Sequence, residues 1–598
     1  MRRLTIVPEP LRDRTAGSGP TSRVEADSSP PVPLLRLVLD LEAITPIVGG
    51  GPETREPDPV DPVRIPSIRG ALRDWWRVVG DETDPEALFQ SEALLWGGVG
   101  LKKADPERAA GSREQDARKH DARTSRARLW IDQVVDPGKD LPAGYHRRRG
   151  TRLQTLPDWR LGSRDDVGYG LFPLQRDQEE RNKARTAAGD LPTPRVREGL
   201  RFRLRLDVVA LGEDLGPRKN ANLEDEVDRP DFLSWWRDRG LRRLMATLWA
   251  WIHFGGLGAR TTRGFGQLRL HTIQEVDGSA AGEAPTGETS REVLEVLEHT
   301  RSVLQEWIGT PGGGKARGIF HTVPMATPRA VADYLERFYA AAGIATTGTA
   351  SSREWPSLQG ATVMVGEARE DPLRALQKPL GALKTFRQGP GVGRAPGSYG
   401  RPGRSYWPEA DAMKLVWEEG NEEDWNQELL HSSRHAGHPI RPDADKKTPR
   451  AAFGMPLLVK FHYQHRFDQK ANGQILPLAP KQDSGQTQQH HTLERFRSPV
   501  RFGVLACANR KYLPLVLVLN VEIPEVDIEL DKKAKRDEKA ANASEAVSWK
   551  AEHGEGAQPP IRGRLATVRG DTLEAWCRWL KDQEGFQYVI RGGKGGTR

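Results

Sequence analysis

Leu200-Arg201-Phe202-Arg203-Leu204-Arg205-Leu206-Asp207-Val208 alternates apolar and charged residues without a break. A period of two puts the apolar set on one face and Arg201, Arg203, Arg205 and Asp207 on the other, so the spacing predicts a half-buried strand over 199–210. Further on, Leu241, Leu244, Met245, Leu248, Trp249 and Ile252 recur at helical spacing up to Gly255, and Gln267 to Ile273 reads as another strand. Upstream, Leu34 to Leu41 alternates as a strand, a Gly/Pro loop fills 45–66, and Ser67 is placed to cap a helix. A further strand is predicted at about 126–134. The resulting order, βαββαβ, is the ferredoxin-like arrangement also used by RNA-recognition motifs, and the fold class is α+β.

In the first of these helices Leu72, Trp75, Trp76 and Val79 share one stripe, which places both tryptophans in the core. Arg69, Arg73 and Arg77 recur every fourth residue along its shoulder. The second helix runs into Gly255-Gly256-Leu257-Gly258-Ala259-Arg260-Thr261-Thr262-Arg263-Gly264-Phe265-Gly266. Bare backbone N–H groups at Gly255, Gly256, Gly258, Gly264 and Gly266, with the guanidinium groups of Arg260 and Arg263, form a pattern that can converge on phosphates. A core helix with solvated arginines is the alternative reading of the first motif alone.

The chain has 598 residues, 90 Lys and Arg against 82 Asp and Glu, and a net charge of +8. That length holds two or more domains, and the basic excess favours a polyanionic partner without choosing among RNA, DNA and an acidic protein. Only Cys507 and Cys577 are present, too few for a disulfide framework, so reduced thiols in a cytoplasmic protein are expected. No segment is apolar over the roughly 20 residues that a membrane crossing needs, and no secretory h-region follows the N-terminal arginines.

Thr45-Pro46-Ile47-Val48-Gly49-Gly50-Gly51 leading to Ile65-Pro66-Ser67-Ile68-Arg69-Gly70-Ala71-Leu72-Arg73 resembles the opening motif of the RAMP proteins of CRISPR effector complexes, and within them of the first subunit of the type III-B (Cmr) complex. Gly258-Ala259-Arg260 through Phe265-Gly266 resembles their glycine-rich loop. Trp96-Gly97-Gly98, Gly403-Arg404-Ser405-Tyr406-Trp407-Pro408-Glu409 and Phe453-Gly454-Met455-Pro456-Leu457 resemble further landmarks, so the likeness spans about residues 35–525.

The resemblance implies two ferredoxin-like (RRM-like) domains with long insertions. The boundaries read as a flexible extension at 1–32, a first domain at 33–275 with a basic insertion at about 101–198, a linker at 276–290, a second domain at 291–590 and a Gly/Arg tail at 591–598. Helical patterns at 290–308, 327–341, 371–386 and 571–582 and strands near 455–463 and 512–523 supply the second domain, and the Lys/Glu/Ala-rich segment 530–556 reads as an exposed insertion. Lys384, Arg387, Arg394, Arg401 and Arg404 interleave with glycines and lead to Trp407, a composition suited to following a phosphate chain and stacking a base, or to a solvated loop.

Catalytic signals are imitations. Gly309 to Ala316 nearly spells a P-loop, but Ala316 replaces the magnesium-coordinating hydroxyl and a predicted helix precedes it where a strand is required. His431, His435 and His438, with His462, His465, His490 and His491, lack helical placement and cysteine companions, so no metal site is expected. Glu53, Glu56, Asp58 and Asp61 lie among Pro57, Pro59 and Pro62 and read as solvated turn carboxylates, and His253 reads as a packed helix terminus. These residues read as a non-catalytic, cofactor-free RNA-binding subunit, and the resemblance implies a place in a cytoplasmic type III-B effector complex. There the subunit would bind guide RNA (crRNA) near its 3′ end, beside the sixth Cmr subunit and the backbone RAMP subunits, and help to admit single-stranded target RNA. A RAMP endoribonuclease and a structural adaptor that never touches RNA remain open alternatives.

Overall fold

The structure is a computed structural model, and it describes residues 31–51, 57–58, 60–99, 122–142, 145–149, 152–156, 170–171, 195–215, 232–276, 288–309, 318–346, 355–388, 453, 457–460, 472–477, 497–521, 526–530 and 572–592. The first half runs β1 (Val32–Ala43), β2 (Ile47–Val48), α1 (Ile65–Val79), α2 (Pro85–Trp96), β3 (Gly98–Val99), β4 (Ala122–Arg123), β5 (Ala127–Asp136), β6 (Lys139–Pro142), β7 (Tyr145–Arg149), β8 (Arg152–Leu156), β9 (Arg195–Glu198), β10 (Arg201–Ala210), α3 (Gly212–Leu215), α4 (Phe232–Trp235), α5 (Leu241–Phe254) and β11 (Leu268–Glu275). The second half runs α6 (Glu288–Ile308), α7 (Pro328–Ala342), β12 (Ser357–Val365), α8 (Pro372–Gln388), β13 (Leu457–Lys460), β14 (Asn472–Pro477), β15 (Val500–Ala506), β16 (Tyr512–Asn520), β17 (Val526–Leu530), α9 (Thr572–Glu584) and β18 (Gln587–Ile590).

The fold is α+β with antiparallel sheets. The first main sheet has the order β11-β1-β10-β5, and α1 and α5 lie in its two crossover connections. The second has the order β15-β16-β12-β18, with α8 and α9 in the equivalent connections. Counting strands along each path, both sheets read fourth, first, third, second. Smaller sheets, β13-β14-β17 and β2-β9-β6, flank them.

Register follows the alternation. Leu37, Leu39 and Leu41 of β1 pair with Leu206, Leu204 and Phe202 of β10, and all six are fully buried. On the opposite face Arg36 stands across from Asp207, Asp40 across from Arg203 and Glu42 across from Arg201. That outer face neutralises itself: Arg201 forks onto Asp40 at 2.9 and 2.7 Å, and Arg205 bonds Asp207 and lies over Trp130 at 4.8 Å. It therefore lacks the row of open aromatic rings on which RNA-recognition motifs stack bases.

Helix α5 is buried all round, with Leu244, Met245, Leu248, Trp249, Trp251 and Ile252 at zero exposure. Such a helix has to be covered on every side. Here the first sheet, α1, α7 and the near face of the second sheet do so, and Val363, Val365, Leu513, Leu515 and Leu517 join the same core cluster. The far face of the second sheet, through Met364, Phe502, Val504 and Val516, packs on α8 and α9. Helices α6 and α7 bury Val293, Trp307, Tyr334 and Phe338 in the core that surrounds α5, so the second βαββαβ path starts at β12.

Candidate nucleic-acid interface

The glycine loop is a packed junction. Gly255 ends α5, and a Cβ there would lie 2.5 Å from Trp251 O and from Trp75 Nε1. Gly266 (φ +68°) would press a Cβ to 2.0 Å from Leu257 O, and Gly256 would meet Gly266 O at 2.6 Å. Gly258 and Gly264 also have positive φ and lie against Val48 and Leu376. These glycines are required by close approach within the chain. The amides of Leu257, Ala259, Arg263, Gly264 and Gly266 bond Gly266 O, Val48 O, Arg260 O, Thr261 O and Pro46 O, so much of the expected bare N–H array is already engaged.

The loop's arginines also turn inward. Arg260 adopts φ 65° and donates Nε–H to Gly170 O at 2.9 Å. Arg263 is only 9% exposed and its guanidinium lies over the Phe502 ring, while Thr262 O accepts from Phe502 N at 3.1 Å. The loop thus clips the first half of the chain to β15. Sequence reading took its arginines for surface cations because the partner, Phe502, is remote in the chain.

The two sequence signatures do meet. Gly258 and Leu257 share a small pocket with Gly49, Gly50, Asp58, Asp61, Arg64, Ser67 and Arg197, at the N-terminus of α1. Along α1, Arg69 donates to Ser125 Oγ and Ala127 O at 2.8 and 3.2 Å. Arg73 and Arg77 both grip Glu92 of α2, Arg73 through Nε and Arg77 through Nε and Nη2. The Glu92 side chain is 2% exposed, whereas those of Arg73 and Arg77 are 33% and 48% exposed. Each guanidinium keeps donors that bond nothing among the described residues.

Glu92 and two cations, Arg497 just before β15 and Arg501 within it, escaped sequence reading. Arg497 and Arg501 reach Asp74 of α1 at 2.6 and 3.1 Å, and Arg501 lies over Trp75 at 4.6 Å. Only Glu92 left a signal, a carboxylate four residues after Leu88 on an otherwise apolar stripe of α2. Arg73, Arg77, Arg497 and Arg501 therefore stand against Glu92 and Asp74, four guanidinium groups on two carboxylates, and Arg69 lies one turn before Arg73 on α1.

Lys384 is half-buried on α8; Arg387 is in its last turn, with its side chain outside the described residues, as are Arg394, Arg401, Arg404 and Trp407. Trp75 and Trp76 are buried, at 2% and 0% exposure, in line with their stripe. Phe453, in one of the resembling motifs, is a core residue against Phe386 and Trp576.

Two of the candidate catalytic groups have structural surroundings. Asp58 accepts from the amides of Val60 and Asp61 at 2.9 and 3.0 Å, and these bonds hold its carboxyl below the ordinary carboxylate range. Glu53 and Glu56, the histidines from His431 to His491, and Thr310 to Ala316 lie outside the described residues, although Gly309 follows helix α6. No cluster of metal-ligating side chains occurs among the described residues.

His253 is half-buried at the end of α5, packed against Trp249 and Tyr334, and desolvation there pushes its pKa down to about 3. Trp249 Nε1–H donates to Tyr334 Oη at 3.2 Å, and Tyr334 lies 3.0 Å from His253 Nε2. An indole N–H can only donate, so Tyr334 Oη accepts from Trp249, and the hydroxyl and His253 Nε2 share a further hydrogen bond whose direction is set by the imidazole tautomer. The unfolded chain takes up a proton near pH 6.5 that the native chain refuses, so stability is full above pH 6.5 and falls as the pH drops toward 3. At pH 4 this amounts to about 3 kcal/mol. Comparing wild type with His253→Gln by thermal melts from pH 7 to 4 should show the variant losing less stability. Parallel losses would contradict a neutral imidazole at this site.

The family model described as the RAMP superfamily matches residues 40–269. The crystal structure of Cmr1 from Pyrococcus furiosus in its apo form is similar at 14% identity and a TM-score of 0.36, covering 93% of this chain and 99% of that one. A chain in the cryo-EM structure of the type III-B Cmr-beta complex bound to cognate target RNA is similar at 12% identity and a TM-score of 0.33, covering 85% and 99%. No curated protein matches the chain. No described helix is long and apolar enough to cross a membrane, and both cysteines are free and buried.

Proposed function

We propose that this chain is a non-catalytic, RNA-binding subunit of a cytoplasmic type III-B CRISPR effector complex, built on two ferredoxin-like units. The RAMP-superfamily match over 40–269, the shared strand order of the two sheets and the Cmr-type motifs of the sequence support this reading. The observation that carries it is the shoulder of α1, where four arginines share two carboxylates, Arg69 adds a further cation, and Arg73 and Arg77 keep unsatisfied donors at the surface. Fixed guanidinium groups with spare N–H edges suit phosphate oxygens. Guide RNA near its 3′ end and single-stranded target RNA are the proposed ligands, with the backbone and sixth Cmr subunits as neighbours.

The absence of chemistry in this proposal rests on His253 being packed among aromatic rings with a lowered pKa and on Asp58 being a turn carboxylate with a lowered pKa. A general acid or base works best with a pKa near the operating pH. Labelled guide-like and target-like single-stranded RNA, incubated with the protein with and without Mg²⁺, should be bound and left intact. In a reconstituted complex, Asp58→Ala with Asp61→Ala should leave single-turnover cleavage within about twofold of wild type, against the 10²-fold or greater loss typical of a true catalytic acid. Cutting by the isolated chain, or a large loss in the double variant, would make it an enzyme. Absence of RNA binding would leave the adaptor reading.

A further inference from the structure

Gly70 is a helix-interior residue whose smallness nothing in the described fold requires. It sits in the second turn of α1, is exposed, and a Cβ built on it would meet nothing within 4 Å. The other glycines with such open surroundings, Gly50, Gly199, Gly343 and Gly585, all have positive φ, which accounts for them; Gly70 does not. Glycine inside a helix is unfavourable relative to alanine, because it gives up more backbone freedom on folding. At this position the fold carries that cost and gains no packing from it.

The neighbours of Gly70 say what gains. Residues 70, 73 and 77 follow one another at i, i+3 and i+7, so Gly70, Arg73 and Arg77 share a stripe of α1. Arg73 and Arg77 are one turn apart and are held in place by Glu92, whose buried carboxylate takes their inner N–H groups. Asp74, beside the stripe, is neutralised by Arg497 and Arg501. A bare notch thus lies one turn before two positioned cations on a surface of net positive charge.

We propose that Gly70 is a close-approach notch for the sugar–phosphate backbone of single-stranded RNA. The strand would lie against the bare helix backbone there and present its next phosphates to Arg73 and Arg77. Glu92 would then be a positioning residue that sets the two guanidinium groups without touching RNA. This inference rests on the RNA-binding reading and adds to it a contact that does not depend on charge. A polyanion fits the stripe, whereas an apolar protein surface would leave both arginines without acceptors.

The test uses Gly70→Ala and Gly70→Leu in the full chain, with labelled single-stranded RNA as probe. Both replace glycine by a better helix former in open space, so the melting temperature should hold or rise by about 1–2 °C. RNA affinity should nevertheless fall, about threefold for alanine and tenfold or more for leucine, since the added atoms occupy the space of the strand. A structural role alone would move the two readouts together. Unchanged affinity in Gly70→Leu, while the triple variant Arg73→Gln, Arg77→Gln, Glu92→Gln weakens binding, would overturn the notch and leave the RNA reading standing. No RNA binding by the wild type would overturn both.

Discussion

Trp76→Ala should lower the stability of the protein by about 3–5 kcal/mol, the range for emptying a large aromatic site in a packed core. Trp76 has zero exposure and packs edge-on to Trp96 at 6.3 Å and tilted to Trp235 at 6.0 Å. The Arg243 guanidinium lies 4.4 Å above its ring, bonds the Trp76 carbonyl and pairs with Glu82 and Ser91. Removing the indole therefore opens a void and strips the apolar cover from a buried charge, two losses that add. Urea denaturation monitored by circular dichroism measures it, with Val60→Ala, at an 89% exposed site, as a control expected to stay within about 0.5 kcal/mol. A Trp76→Ala variant that kept its denaturation midpoint and lost only RNA affinity would mean that the ring stacks on bases.

The first sheet was legible because one of its faces is wet. Leu200 to Val208 alternates since Arg201, Arg203 and Arg205 stand on a solvated face, and β1, β5, β10, β11, α1 and α5 fall where the periodicity places them. The second sheet is covered on both faces, so its strands lose the period of two. All seven interior residues of β16 are buried in an unbroken run, and β15 carries buried residues on both sides with Gly503 in its middle. Tyr512 to Asn520 was found through its apolar content; Val500 to Ala506 and Ser357 to Val365, the latter interrupted by Gly360 at φ +69°, were not.

Site residues divide in the same way. The arginine row of α1 is written in consecutive turns of one helix and is visible in the sequence. What each arginine does is settled by residues far along the chain. The Asp74 pairs span separations of 423 and 427 residues, and the stacking of Arg263 on Phe502 joins the two halves. The glycine loop shows the same limit: its residue types suit a phosphate cradle and a tight internal crossing equally, and Val48, Trp75 and Leu376 are what make it a crossing. The cationic burden of the interface therefore rests on the helix.

That shift of weight from loop to helix is the central claim, and the salt dependence of RNA affinity tests it. Replacing Arg73 and Arg77 alone would leave the Glu92 carboxylate buried without a partner and confuse binding with unfolding. The triple variant Arg73→Gln, Arg77→Gln, Glu92→Gln removes the two cations together with their buried anion. If each arginine holds one phosphate, the slope of log affinity against log salt for single-stranded RNA should become shallower by about 1.4, twice the roughly 0.7 expected per contact. At low salt the affinity should fall by about tenfold or more, with the melting temperature kept within a few degrees. A triple variant that folds like the wild type and binds RNA with the same salt slope would contradict the account.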